Sequence, residues 1–211
     1  MASVPSTASP LVFRSAAAPW LTGFLVALGA AVAVLGLAGG PASAVASVLV
    51  GAALGQLGWW LYWRPRVVVE DGGVRIVNPL HTVVVPWRAL VDVRTRFTLT
   101  LVTPQGAWSC FALPSGGASA ALRGSPGDLR GTHPSARPDG TLRPGDLLGT
   151  RGGAAADLIR RRWQSMVEDG TLDVFADRDA DDDAVRTELH PVPALVLLVL
   201  AGLAAAGLLA G

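Results

Sequence analysis

Apolar residues form long uninterrupted stretches at both ends of the chain and alternate with polar residues in the middle. Residues 15–63 contain no charged side chain. One helix over this stretch would be roughly 74 Å long, against a hydrocarbon core of ~30 Å. We therefore predict a transmembrane hairpin over 19–63, with helices near 19–37 and 42–63. Gly39-Gly40-Pro41 joins them, because Gly and Pro break helices.

The second uncharged stretch, 191–211, predicts a C-terminal transmembrane helix over about 192–210. Small residues four positions apart, at Gly29 and Ala33 in the first helix and at Gly51 and Gly55 in the second, favour close helix contact. We expect that contact within the hairpin rather than between two copies of the chain.

Arginine placement predicts the orientation of these helices. Arg14 lies in the N-terminal tail, 1–18, Arg64 and Arg66 follow the second helix, and Arg186 precedes the third. The positive-inside rule then places the tail and the polar middle in the cytoplasm of a multi-pass cell-membrane protein. Aromatic residues typical of a membrane interface cluster at the same end of the hairpin: Phe13, Trp20, Trp59, Trp60, Tyr62 and Trp63.

A cleaved signal peptide is the alternative for the first apolar segment. Ala42-Ser43-Ala44 would be the small-residue cleavage site. The apolar core of a signal peptide is usually 7–15 residues long, whereas this stretch is longer and leads directly into another apolar segment. We expect the segment to be retained.

Between the apolar ends, residues 64–113 carry the signals of short antiparallel strands. Val67-Val68-Val69 leads into the turn Asp71-Gly72-Gly73, and residues 97–101 alternate between apolar and polar. Around 107–113, Trp108, Cys110 and Ala112 fall on one face. We predict five or six strands here, in a sheet that must close or be covered to hide its edges.

The remaining polar residues form three further segments. Residues 114–153 are rich in Gly, Pro, Ser and Arg, which predicts a disordered insert. Residues 154–176 predict a capping helix over 154–168 and a short extension that includes a strand at 172–175. The helix would turn Leu158, Ile159, Trp163, Met166 and Val167 towards the sheet, and Arg160, Arg161, Gln164 and Glu168 away from it. Residues 177–190 predict an acidic linker.

The strand pattern, above all residues 71–79 followed by Val83-Val84-Val85-Pro86-Trp87, resembles the bacterial PH-like domain of small actinobacterial membrane proteins, the low molecular weight protein antigen 6 family. The resemblance covers about 20–113 and includes the helical hairpin. It implies a small, strongly bent antiparallel sheet with one open end capped by a helix, here 154–168. It implies no catalytic residues, and it does not define a biochemical role.

Charge and composition narrow the function further. The formal net charge of +1 does not favour nucleic-acid binding. The single cysteine, Cys110, excludes intramolecular disulfides and cysteine-based zinc clusters. His81, His133 and His190 are not spaced as ligands or as partners of a nucleophile, so we expect neither an enzyme nor a cofactor.

The acidic linker partly matches a calcium-binding loop. Asp177, Asp179, Asp181 and Asp183, with Glu188, occupy liganding positions of an EF-hand. Asp182 stands where such loops need Gly for a sharp turn, so we interpret the segment as solvated and expect no metal.

Six arginines could contact anionic lipid head groups beside the membrane: Arg64, Arg66, Arg75, Arg88, Arg94 and Arg96. The alternative is that they only set topology and keep the sheet soluble. A peptide at 126–132 is echoed at 144–150, which leaves docking of a partner open. The sequence therefore predicts a non-catalytic binding or scaffolding module at the cytoplasmic membrane face. A partner-binding envelope assembly factor, using the sheet edge or the insert, is the alternative.

Overall fold

The computed structural model describes residues 10–95, 97–114, 150–172 and 184–209. Several predictions lie outside these ranges: most of the insert, Arg96, the strand at 172–175 beyond Leu172, and the Asp177–Asp183 part of the calcium-loop pattern. The described residues form two compact units, of which one is a β domain and the other is helical.

The helical unit contains three apolar helices. These are α1 (Ala18–Gly36), which continues into a 3₁₀ turn at Leu37–Gly39, α2 (Pro41–Gly58), which continues into a π-helical turn at Trp59–Trp63, and α4 (Val192–Leu209). The predicted helices are confirmed to within two residues at their starts. Gly40 turns the chain between α1 and α2 with φ of 91°, a conformation that favours glycine.

Close packing within the hairpin is confirmed at its glycines. A β-carbon on Gly29 would lie 2.5 Å from the carbonyl oxygen of Gly51, so the two backbones touch where both side chains are absent. The α4 helix also packs on α2, where Gly207 faces Ala46.

Two of these helices meet the length and composition expected of a membrane span: Ala18–Gly39 and Pro41–Trp63. The apolar part of α4, Val192–Gly207, is shorter. Large apolar side chains on α1 remain open to the surroundings, with Trp20 79% and Leu35 76% exposed.

The β domain contains two antiparallel sheets. A five-stranded sheet has the order β1 (Leu11–Phe13), β2 (Arg66–Val69), β3 (Gly73–Val77), β4 (His81–Pro86), β8 (Arg186–Leu189). A three-stranded sheet has the order β5 (Asp92–Arg94), β6 (Thr98–Thr103), β7 (Gly106–Pro114).

Helix α3 (Arg151–Glu168) covers the sheets, as predicted. Ala155, Ala156 and Ile159 are buried in a core shared with both sheets. The helix begins three residues before the expected start, because the Thr150 hydroxyl accepts a hydrogen bond from the Gly153 N–H (2.9 Å) and caps it. Gly170, with φ of 68°, ends the turn that follows.

The strands expected between 64 and 113 are present, and two more lie outside that segment. Strand β1 falls in the predicted N-terminal tail and β8 in the predicted acidic linker. Leu11 pairs with Val69 and Phe13 with Val67, so β1 extends the sheet beyond β2. Both added strands are short edge strands whose partners are distant in sequence, and their stability comes from backbone pairing rather than from a strong local pattern.

Candidate functional site

The arginines predicted to contact lipid are distributed over several elements. Arg66 on β2 and Arg75 on β3 lie diagonally on one face of the five-stranded sheet, because Arg66 pairs with Val77 and Arg75 with Val68. Arg94 belongs to β5 in the other sheet, and Arg88 is exposed in the turn Trp87–Ala89. Arg64 belongs to the helical unit and donates to the carbonyl of Pro79 (2.6 Å).

Two of these arginines have carboxylate partners. Arg75 pairs with Glu70 (3.2 Å) and Arg94 with Asp92 (2.9 Å). Both pairs are solvent-exposed, so each contributes at most about 1 kcal/mol to stability and could exchange its partner for another anion. Within the described ranges no partner is found for Arg66 or Arg88. Lipid contact by this set stays a prediction.

The Pro86-Trp87 motif joins the β2–β3 turn to α3. Trp87 is buried, and its indole N–H donates to the carbonyl of Glu70 (3.1 Å). The guanidinium of Arg162 lies 5.9 Å from the centre of the Trp87 ring and pairs with Asp71. A cation over the face of an indole is attracted to its π system. These contacts hold α3 against the β2–β3 turn of the sheet.

Asn78 connects the two sheets at the end of β3. Its side-chain amide donates to the carbonyl of Ser109 (2.9 Å), and its oxygen accepts from the backbone N–H of Phe111 (2.8 Å). The buried amide therefore satisfies two backbone groups of β7, as a neighbouring strand would. Asn78 of the sequence pattern thus helps to join the two sheets.

Beside this framework a cleft of about 130 Å³ opens between the edge strand β5 and α3. One wall is the segment from Leu90 to Val93, and the other consists of Arg160, Trp163 and Gln164. Arg160 donates to the carbonyl of Val93 (2.7 Å) and so covers part of the strand edge.

The cleft corrects one prediction about α3. Arg160 and Gln164 were expected to face away from the sheet, yet both line this wall. They do so because the edge of a sheet, rather than its flat face, lies beside this part of the helix. Long side chains on the flank of the helix can therefore reach it.

Trp163 lines the cleft, but its indole nitrogen is not accessible from it. The side chain packs against the core, but its indole nitrogen is buried and has no hydrogen-bond partner within the described ranges. Buried polar groups in proteins are nearly always paired, so an unpaired donor calls for an explanation. The hydrophobic pattern placed Trp163 on the covered face, but no sequence signal shows that its N–H lacks an acceptor.

Two observations bear on catalysis and metal binding. Burial raises the pKa of the Cys110 thiol to about 11, although hydrogen bonds from the backbone of Ala112 and Leu113 act in the opposite direction. The thiol is thus protonated and inaccessible, unlike a nucleophilic cysteine. Within the described ranges, no group of three or more His, Cys, Asp or Glu residues could hold a metal ion.

The comparisons with known proteins agree with the sheet and its motif. Residues 64–132 match the family model described as the bacterial PH domain. No curated protein and no solved structure matches the chain significantly. The matched segment contains the strands β2–β7, the Pro86-Trp87 turn and Asn78. The chain is therefore a bacterial PH-domain-containing protein.

Proposed function

We propose that this protein is an integral, multi-pass membrane protein that presents its PH domain at the cytoplasmic face of the cell membrane, as a non-catalytic binding or scaffolding module. PH domains are generally binding modules without catalytic activity. The matched domain therefore supports a binding function, and the apolar helices support a location in the membrane.

The observation that carries the membrane assignment is the exposure of the hairpin. Of the apolar windows in Ala18–Gly39 and Pro41–Trp63, only 6% and 11% of residues are buried. A core helix of a water-soluble protein would be mostly buried, because a large exposed apolar surface is unfavourable in water. Lipid is the environment in which these side chains are stable without a protein cover.

Arginine placement supports the cytoplasmic orientation. Arg64 and Arg66 directly follow the second helix, while the turn at Leu37–Gly39 and Gly40 has no charge. Cytoplasmic ends of spans carry an excess of basic residues. Arg66 and Arg88, with the salt-bridged Arg75 and Arg94, are the groups through which the domain would contact anionic head groups.

Cysteine labelling tests the topology. On a Cys110→Ala background, Ala38→Cys places a thiol in the exposed turn between α1 and α2, and Gln105→Cys places one in the exposed turn between β6 and β7. A membrane-impermeant maleimide should label the position-105 variant only in inverted vesicles and the position-38 variant only in right-side-out vesicles. Labelling of both from the same side would refute the hairpin, and the opposite pattern would refute the orientation.

A further inference from the structure

The edge strand β8 has a free side and two unpaired charges. It is the last strand of the five-stranded sheet, next to β4, and all four of its residues are exposed. Within the described ranges, no hydrogen-bond or ion-pair partner is found for the side chains of Arg186 and Glu188. The open edge of a sheet is a template on which another strand can pair.

We propose that β8 pairs antiparallel with β8 of a second copy of this chain, about a two-fold axis at Thr187. The sequence Val185-Arg186-Thr187-Glu188-Leu189 is complementary to itself in this register. The five-stranded sheets of two copies are then joined edge to edge. The inference concerns assembly rather than binding of a ligand, and it rests on the proposed function only for the membrane in which the copies meet.

Each cross-strand pair in this register is favourable. Arg186 of one copy lies opposite Glu188 of the other, and the symmetry repeats that pair. Thr187 lies opposite its own counterpart, and opposite charges and paired threonines both stabilise neighbouring antiparallel strands. Val185 lies opposite Leu189, whose side chain is 77% exposed in the single chain, so the pair removes apolar surface from water.

The backbone of β8 presents its hydrogen-bonding groups as this register requires. The N–H of His190 donates to the carbonyl of Leu80 (2.8 Å), so it points towards the β4 side of the strand. Successive residues of an antiparallel strand direct their N–H and C=O groups to alternate sides. The groups of Thr187 and Leu189 therefore point to the free side, where a pair centred on Thr187 needs them.

Other registers of the same pair are less favourable. A pair centred on Arg186 or on Glu188 places like charges directly opposite each other, and the backbone groups of these residues point towards β4. A pair centred on Leu189 places Pro191, which has no N–H, opposite Thr187. Charges on an edge strand usually discourage pairing with foreign strands, so β8 selects its own copy in one register.

The contact is short, so we expect it to form where copies of the chain are concentrated. A few residues per copy bury less surface than a stable dimer of soluble proteins needs. Helix α4 begins at Val192, soon after β8 ends. The proposed membrane therefore confines the copies to one plane and raises their effective concentration. Pairing within one bilayer requires a two-fold axis along the membrane normal, and for this reason the test uses bilayers.

The test measures the proximity of full-length copies in phosphatidylcholine bilayers. On the Cys110→Ala background, Gln105→Cys carries a donor or an acceptor dye in the exposed turn between β6 and β7. Energy transfer is followed over a series of lipid-to-protein ratios. We expect transfer that saturates with protein density and is competed away by unlabelled protein.

Charge exchange within β8 tests the cross-strand pair. Arg186→Glu places carboxylates opposite each other at two symmetric positions, and Glu188→Arg does the same with arginines, so each should weaken association about 5- to 30-fold. The double variant Arg186→Glu/Glu188→Arg has opposite charges again and should restore association. Glu168→Arg, at an exposed position of α3, makes the same change of charge elsewhere and should leave association unchanged.

Two further variants test the backbone pairing and its register. Thr187→Pro removes the N–H on the free side of β8, so it should abolish saturable transfer and leave Tm unchanged, because edge strands tolerate proline there. Thr187→Cys on the Cys110→Ala background should form a disulfide-linked dimer under mild oxidation, since directly paired residues lie within disulfide reach. Val12→Cys, exposed on the opposite edge strand β1, is the control and should remain monomeric.

Three results would overturn the proposal: no saturable transfer, a double charge variant that associates as weakly as the single variants, or wild-type association of Thr187→Pro. Transfer that persists unchanged in every β8 variant would also overturn it, in favour of a contact between the apolar helices. None of these results changes the labelling pattern at positions 38 and 105, so a failure here is distinct from a failure of the membrane assignment.

Discussion

The β domain and the helical unit use similar apolar side chains in opposite ways. In the β domain Val67, Val74, Ile76 and Leu101 are each 0% exposed, whereas Leu35 in α1 is 76% exposed. In the β domain apolar side chains are removed from water by one another, and in the helical unit we propose that lipid removes them. Apolar composition alone therefore does not locate a core, because the surrounding solvent, water or lipid, decides which arrangement is stable.

The same substitution in the two units should have very different effects. Leu101→Ala leaves a cavity in the core of the β domain and should lower the free energy of unfolding by about 2–5 kcal/mol. Leu35→Ala, on an exposed helix surface, should change it by about 0.5 kcal/mol or less. Denaturant unfolding of the full chain in detergent micelles measures both, and equal losses would contradict the contrast.

A substitution that introduces a charge should have the opposite ranking, with the larger effect in α1 and the smaller effect in the β domain. Leu28→Asp places a carboxylate near the middle of α1 and should cost about 3 kcal/mol of membrane insertion. Phe97→Asp changes an exposed position of the β domain, where a charge meets water and should leave insertion unchanged. The fraction retained in membranes after alkaline carbonate washing reports the effect. Full retention of the Leu28 variant would argue that α1 lies outside the bilayer.

Removing the hydrogen bonds by which Asn78 joins the two sheets should lower the free energy of unfolding measurably. Asn78→Ala leaves the carbonyl of Ser109 and the N–H of Phe111 without their side-chain partners. Each unsatisfied buried group costs about 1–3 kcal/mol, so we expect a loss of at least about 2 kcal/mol in the β domain. Gln105→Ala, in an exposed turn, is the control and should lie within about 0.5 kcal/mol of wild type. Unfolding curves that coincide for both variants would show that the Asn78 contacts contribute little.

The smallest loss of stability is expected at the contact between α1 and α2. Gly29→Ala forces a methyl group against the backbone of Gly51 and should destabilise the hairpin by about 1–2 kcal/mol. Gly23→Ala, on the same helix with nothing within 4 Å, should be neutral or slightly stabilising. Disulfide exchange between engineered cysteines on α1 and α2 measures the pairing. If Gly29→Ala and Gly23→Ala changed the helix pairing equally, the close contact between α1 and α2 would not be at Gly29.

Local pattern predicted those parts of the fold that depend on periodicity. The alternation at 97–101 and the Val-rich strands before Asp71 and Pro86 predict strands, and the apolar face around Ile159 predicts the covering helix. Strands β1 and β8 depend on partners far along the chain, and three or four residues carry too little periodicity to reveal them.

The candidate site was less accessible to sequence reasoning. The six arginines are visible as charges, but only the fold shows that Arg75 and Arg94 have carboxylate partners. The cleft depends on how α3 crosses the edge at Val93, and the burial of the Trp163 indole nitrogen depends on how α3 packs on the core. Neither feature has a signature in the order of residues, because both arise from packing between distant segments.

The most direct test of the two environments is labelling by a phosphatidylcholine with a diazirine at the end of its acyl chain. Full-length protein in bilayers is irradiated, and the modified residues are mapped by mass spectrometry. We predict adducts within Ala18–Gly36 and Pro41–Gly58 and none within the strands β2–β7. Adducts spread equally over both units, or absent from the two helices, would contradict the assignment of the hairpin to lipid.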